Sequence, residues 1–131
     1  MAQKEIEVIL TRQLASYLAM PIIIVDPMGT LLFFNEPAEA ILGRRFEETG
    51  EIPLDDWVKT VTLTDDDGAP LAPEARPLLI ALNERRPVHA EMWVVGMDQV
   101  RRHVEITAFP LIGQAGRHLG ALGIFWEVEA P

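Results

Sequence analysis

The sequence predicts an α+β domain built on one antiparallel sheet. Three observations predict it. An amphipathic helix leads the chain, two short apolar runs flank a turn near residue 28, and the last third reads as three strands. The chain has 131 residues, 49% of them hydrophobic and 24% charged. That is enough for one ordinary core, and no repeat, linker or second domain interrupts the order.

The leading helix is expected over residues 4–19. Ile6, Ile9, Leu10, Leu14, Tyr17 and Leu18 form an i, i+3, i+4 stripe, with Glu5, Glu7, Arg12 and Gln13 outside it. Pro21 ends it, because proline disfavours helical geometry in the residue before it. A narrow stripe of this kind suits packing on the chain's own core or a seam with a second copy. The pattern is the same for both.

The stretch "IIIVDPMGTLLFFN" then reads as two strands, Ile22–Val25 and Leu31–Phe34. Between them Asp26, Pro27 and Gly29 supply turn chemistry, since proline presets φ and glycine accepts positive φ. Asn35 ends the second strand and can cap a helix over residues 37–42, with Pro37 in its first turn. Gly43 closes that helix as a left-handed cap.

A short helix is expected over residues 53–58, and residues 61–63 are strand-like. Asp65, Asp66, Asp67, Gly68 and Pro70 form a loop. A second clear helix covers residues 77–83, with Pro77 in its first turn. The chain closes as a meander over Val88–Val95, residues 100–109 and residues 119–128. Val104, Ile106 and Ala108 alternate with His103, Glu105 and Thr107, so one face is apolar and Pro110 breaks the strand. The last strand is apolar on both faces and belongs mid-sheet.

Composition excludes several functions. There is no cysteine, so disulfides, thiol catalysis and Cys-ligated metal are absent. The formal net charge is −9, and Arg44-Arg45, Arg85-Arg86 and Arg101-Arg102 are scattered, so no nucleic-acid partner is expected. The first residues carry charge and no apolar leader, and no run approaches the ~20 apolar residues of a bilayer span. The expected place is the cytoplasm, with no membrane partner.

Taken in order, these blocks resemble a PAS domain, the sensory and interaction module of bacterial signalling proteins. Asp26, Gly29, Asn35, Ala38, Leu42 and Gly43 carry the first block, "IIIVDPMGTLLFFNEPAEAILG". "DDDGAPLAPEARPLLIALNERRPV" and "FPLIGQAGRHLGALGIFWEV" resemble the later ones. The resemblance covers about Leu18 to Val128. It implies a PAS fold over residues 20–131, with residues 1–19 as an N-terminal flanking helix. It implies a five-stranded antiparallel sheet in the order 2-1-5-4-3 with helices on one face. Asp26, Gly29, Asn35 and Gly43 then define the fold. The flanking helix implies a homodimer, with Ile6, Leu10, Leu14 and Tyr17 as the seam.

The resemblance also frames the cofactor question. Covalent light-sensing chemistry in such domains needs a cysteine, so a covalent flavin adduct is excluded. The helix "PEARPLLIALNERR" has no histidine for haem, which leaves only His89 as a weak axial candidate. Trp57, Trp93 and Trp126 could stack on a flavin, but tryptophan on strands usually packs in the core. A small apolar ligand in a pocket near Trp57, Leu79, Trp93, Ile106 and Trp126 is compatible, and so is a closed core. No cofactor is required. His103 and Glu105 share a strand face but lack a third metal ligand, and the Asp65–Asp67 run lacks the spacing of a calcium loop.

The expected function is therefore a sensory and dimerisation module without enzymatic activity. It couples small-ligand or partner binding to an output in another protein or in a domain after Pro131. Two alternatives stand beside it. One is a small α+β enzyme with an apolar cavity, using Asp26 or Glu105 as acid or base. The other is a ligand-free structural dimerisation domain.

Overall fold

A computed structural model describes residues 6–129. Helix α1, Ile6–Tyr17, leads into a hairpin of β1, Ile22–Val25, and β2, Leu31–Phe34. The start expected at Lys4 lies outside the described residues. Three short helices follow: α2 (Glu36–Leu42), α3 (Phe46–Thr49) and α4 (Leu54–Thr60). Strand β3, Thr62–Thr64, precedes a 3-10 turn at Pro73–Ala75 and helix α5, Pro77–Glu84. The meander is β4 (Val88–Val95), β5 (Arg101–Ile112) and β6 (His118–Glu127).

The sheet has six strands, not the expected five, in the order β2-β1-β6-β5-β4-β3. The added strand is β3. Thr62, Leu63 and Thr64 pair antiparallel with Val95, Val94 and Trp93, so a strand-like run with two β-branched threonines extends the free edge of β4. The rest of the order matches the expected one once β3 is counted.

The expected break at Pro110 does not occur. Strand β5 runs on to Ile112, with Pro110 opposite Ala121. Pairing of β4 with β5 ends at Val88 opposite Ala108. Beyond that point β5 has a neighbour on one side only, and an edge is where a strand tolerates a residue with no N–H.

Two apolar clusters lie on opposite faces of the sheet. The inner one joins Ile23, Val25 and Phe34 to Ile41 of α2, Trp57 of α4 and Leu78 and Leu82 of α5. The outer one joins Ile22, Ile24, Leu32, Leu119 and Leu122 to Val8 and Ala15 of α1. Thus α2, α4 and α5 cover one face and α1 covers part of the other. All four residues of β1 are buried. Each such aliphatic side chain contributes about 1.5–3 kcal/mol relative to exposure.

The hairpin turn is built by Asp26 and Gly29. One Asp26 carboxylate oxygen, Oδ1, accepts from the Met28 and Thr30 amides at 2.9 and 3.0 Å. Gly29 sits at φ 88°, a region that favours glycine. Asn35 caps α2 by accepting from the Ala38 amide at 3.2 Å, and Gly43 closes it at φ 84°. The β4–β5 turn then locks onto that helix end. The Met97 amide donates to the Leu42 carbonyl at 2.7 Å, and Arg102 Nη1 donates to the Ile41 carbonyl at 3.0 Å. A guanidinium at a helix C-terminus satisfies orphan carbonyls.

Helix α1 is held by its rim. Glu7 faces Arg117 at 3.6 Å and accepts from the Gln114 amide at 3.3 Å. The Arg12 guanidinium lies 4.7 Å from the Phe33 ring centroid. Among the described residues no helix is long and apolar enough to cross a membrane.

Candidate functional site

The inner layer encloses an apolar cavity of about 60 Å³ between the sheet and α4 and α5. Strands β1, β4, β5 and β6 supply Ile23, Met92, Ile106 and Phe125 to its wall. Trp57 supplies the helical side, and its indole N–H donates to the Gly29 carbonyl at 2.8 Å. The hairpin turn thereby positions the largest side chain of the cavity.

One charged residue lies on the wall. Arg76 follows the 3-10 turn and precedes Pro77, and it is only 4% exposed. Its Nη2 donates to the Val58 carbonyl at 2.9 Å, and its guanidinium carbon sits 5.6 Å from the Trp57 ring centroid. Nε and Nη1 are buried without a hydrogen-bond partner among the described residues. Burial pushes the guanidinium below its ordinary pKa.

The expected pocket residues divide. Trp57 and Ile106 share the cavity wall. Leu79 is buried in the inner core but is not on that wall. Trp93 and Trp126 point to the outer face, because Met92, Val94 and Phe125 take the inward positions of the same strands. There the Trp93 ring lies 4.7 Å from His103 and 3.9 Å from the Arg101 guanidinium. Its indole N–H donates to Asp66 at 3.0 Å. The Trp126 indole donates to Glu105 at 3.0 Å.

These contacts give the other candidates structural roles. Glu105 serves Trp126, and Asp26 serves the hairpin turn, so neither carboxylate is on the cavity wall. His103 is stacked on Trp93, with Nδ1 3.3 Å from the Glu129 carbonyl. His89 is exposed on the outer face beside Trp126, away from the cavity. Asp65 closes its own loop by accepting from the Asp67 and Ala69 amides.

On α1 the stripe faces outward. Ile6, Leu10, Leu14 and Tyr17 are 67%, 56%, 61% and 87% exposed, while Val8 and Ala15 make the contact with the sheet. Arg76 was not signalled by the sequence. Its burial depends on Val58 and Trp57, 18 and 19 residues back, and local periodicity carries no trace of that contact.

The fold as a whole recurs in solved structures. The PAS domain of a protein from Colwellia psychrerythraea superposes at a TM-score of 0.64, with 17% identity over 93% of this chain and 97% of that one. The fold is the PAS fold. The PAS domain of nitrogen regulation protein NR(II) from Vibrio parahaemolyticus superposes at 0.63, with 18% identity over 91% and 98% of the two chains. The Rhodobacter sphaeroides LOV protein superposes at 0.72, with 14% identity over 95% of this chain and 69% of that one. No protein-family model and no curated protein matches the sequence.

Proposed function

We propose that this PAS domain is a sensory and dimerisation module of signal transduction. A small ligand occupies the core cavity, and the exposed stripe of α1 pairs with a second copy. Occupancy is passed to an output in a partner protein or a further domain. The observation that carries the reading is the cavity itself, lined by apolar side chains and one buried arginine. The PAS and LOV neighbours, a nitrogen regulation protein among them, support a sensory role. Residues 1–19 act as the flanking helix and residues 20–131 as the sensor.

The proposed role is non-enzymatic, and the two carboxylates weighed for acid–base work have other tasks, Asp26 in the hairpin turn and Glu105 on the Trp126 indole. A flavin–cysteine adduct has no cysteine to form on.

The test is native and denaturing mass spectrometry of the purified protein, with its visible spectrum. A dimer carrying a co-purified small molecule is the expected result. A monomer that neither carries nor takes up any small molecule would overturn the proposal.

A further inference from the structure

We infer that the groove between α1 and the β1–β2 hairpin binds a single-chain amphiphile with a carboxylate head, its body on Ile24 and Leu32 and its head at Arg12. The groove lies on the outer face of the sheet, away from the core cavity, and the inference does not depend on that cavity.

The first argument is the shape of the hairpin. Pairing of β1 with β2 shifts register between Ile24 and Val25. Leu31 and Phe34 belong to the inner cluster, while Leu32 and Phe33 between them both belong to the outer one. A bulge of this kind sets two residues of one strand against one of its partner. The outer face is widened opposite Ile24, and α1 seats there only through Val8 and Ala15. The space left between helix and hairpin is a groove of about 320 Å³. That volume falls in the range of small-molecule sites, which begins near ~300 Å³.

The second argument is the lining. Ile24, Leu32 and Phe33 supply it from the sheet, and Val8 and Ile9 from α1. Its polar residues, Arg12, Gln13 and Ser16, all come from one stretch of the helix. The Ser16 hydroxyl is turned back on its own helix, donating to the Arg12 carbonyl at 3.0 Å. Arg12 and Gln13 are left to meet a polar head, and the remaining surface asks for hydrocarbon.

The third argument is the sign of the head. The Arg12 guanidinium carbon lies 4.7 Å from the Phe33 ring centroid and 5.3 Å from that of Phe46. Phe33 lines the groove, so the charge stands over it. Among the described residues the ion pairs belong to Arg44, Arg45, Arg86, Arg102 and Arg117, and the Arg12 guanidinium is in none of them. A guanidinium fork matches the two oxygens of a carboxylate. An exposed ion pair adds little by itself, so the apolar body supplies the affinity and Arg12 the orientation. The net charge of −9 disfavours anions at long range, but salt screens that field beyond about 8 Å, and the local cation decides.

The test is a titration of the purified chain followed by NMR, with sodium octanoate, octylammonium chloride and 1-octanol as probes. Octanoate is expected to move the methyl resonances of Ile24 and Leu32 and to bind at least about five-fold tighter than octylammonium. Arg12→Gln, at an exposed position, should weaken octanoate about five-fold and leave 1-octanol within about two-fold. Ser16→Trp, also exposed, should fill the groove and abolish binding of both. Octylammonium binding as tightly as octanoate, or equal octanoate binding in Arg12→Gln, overturns the carboxylate head. Shifts confined to Ile23, Met92 and Ile106 overturn the groove and place the ligand in the core cavity, which supports that separate reading. If none of the three probes binds, as when a second copy fills the groove, the inference falls and the core cavity is unaffected.

Discussion

The side-chain amide of Asn35 donates to the Ala15 carbonyl at 2.9 Å, 20 residues back along the chain. The same nitrogen donates to the Met20 carbonyl at 2.8 Å. Its Oδ1 accepts from Ile22 at 2.9 Å and from Ala38 at 3.2 Å. One buried amide therefore ties the end of α1, the start of β1 and the first turn of α2 together. Asn35→Ala leaves two carbonyls and two amides to find other partners, at a cost of about 3 kcal/mol. The unfolding free energy from urea titration is expected to fall by that amount. Asn35→Asp should do no better, because it replaces two donors with a carboxylate facing two carbonyls.

Gly43→Ala should also destabilise the fold. The position has φ 84°, and an added Cβ would come within 2.6 Å of Asp98. Strain from the left-handed backbone, about 1 kcal/mol, adds to the displacement of the β4–β5 turn. Thermal unfolding should show a loss of several degrees. An unchanged melting temperature would mean that the turn can move aside freely.

Leu10→Glu and Leu14→Glu separate association from folding. Both side chains are more than half exposed, so the folded chain should keep its stability within about 0.5 kcal/mol. A seam between two copies would bury those charges without partners and should be lost. Light scattering is expected to halve the mass of each variant while its circular dichroism and melting point stay put. A dimer that survives both changes places the association elsewhere.

Stability should fall on mild acidification through His118. Burial, with the Arg85 guanidinium as the second cause, holds this imidazole below the usual histidine range. The unfolded chain then takes up a proton before the folded one does. The contribution is complete above the ordinary value of about 6.5 and is lost as pH falls through the folded value. His118→Gln should flatten that limb of a plot of urea midpoint against pH. A slope that persists in the variant assigns it to another group. Asp98 acts lower on the scale, since the hydrogen bond from Arg102 holds its carboxyl below the usual range.

Local chemistry explains which parts of this fold could be read from the residues. The Asp26–Gly29 turn, the Asn35 cap and the Gly43 cap are set within a few positions of chain, and they appear where turn and cap preferences put them. The alternation of β5 likewise gives the correct inward face, with Val104 and Ala108 in the core. The remaining features depend on distant partners. β3 becomes a strand because β4 offers an edge, and Pro110 stays in a strand because β4 stops short of it. Trp93 and Trp126 turn outward because Met92, Val94 and Phe125 fill the inward positions. On α1 a small residue, Ala15, and Val8 make the close approach, while the larger apolar residues stay outside. A stripe alone does not say which edge of it meets the sheet. Two carboxylates of chemical interest, Asp26 and Glu105, are committed to a turn and to an indole.

Strand β1 is only four residues long, yet its side chains alternate between the two clusters. Ile23 is on the cavity wall, while Ile22 and Ile24, about 3.3 Å along the strand on either side, support Val8 and Ala15. The strand is a partition loaded from both sides. A molecule that presses on Ile23 presses on the same backbone that carries the floor of α1. The filling of the cavity and the seating of the leading helix are thus two demands on one short stretch of chain.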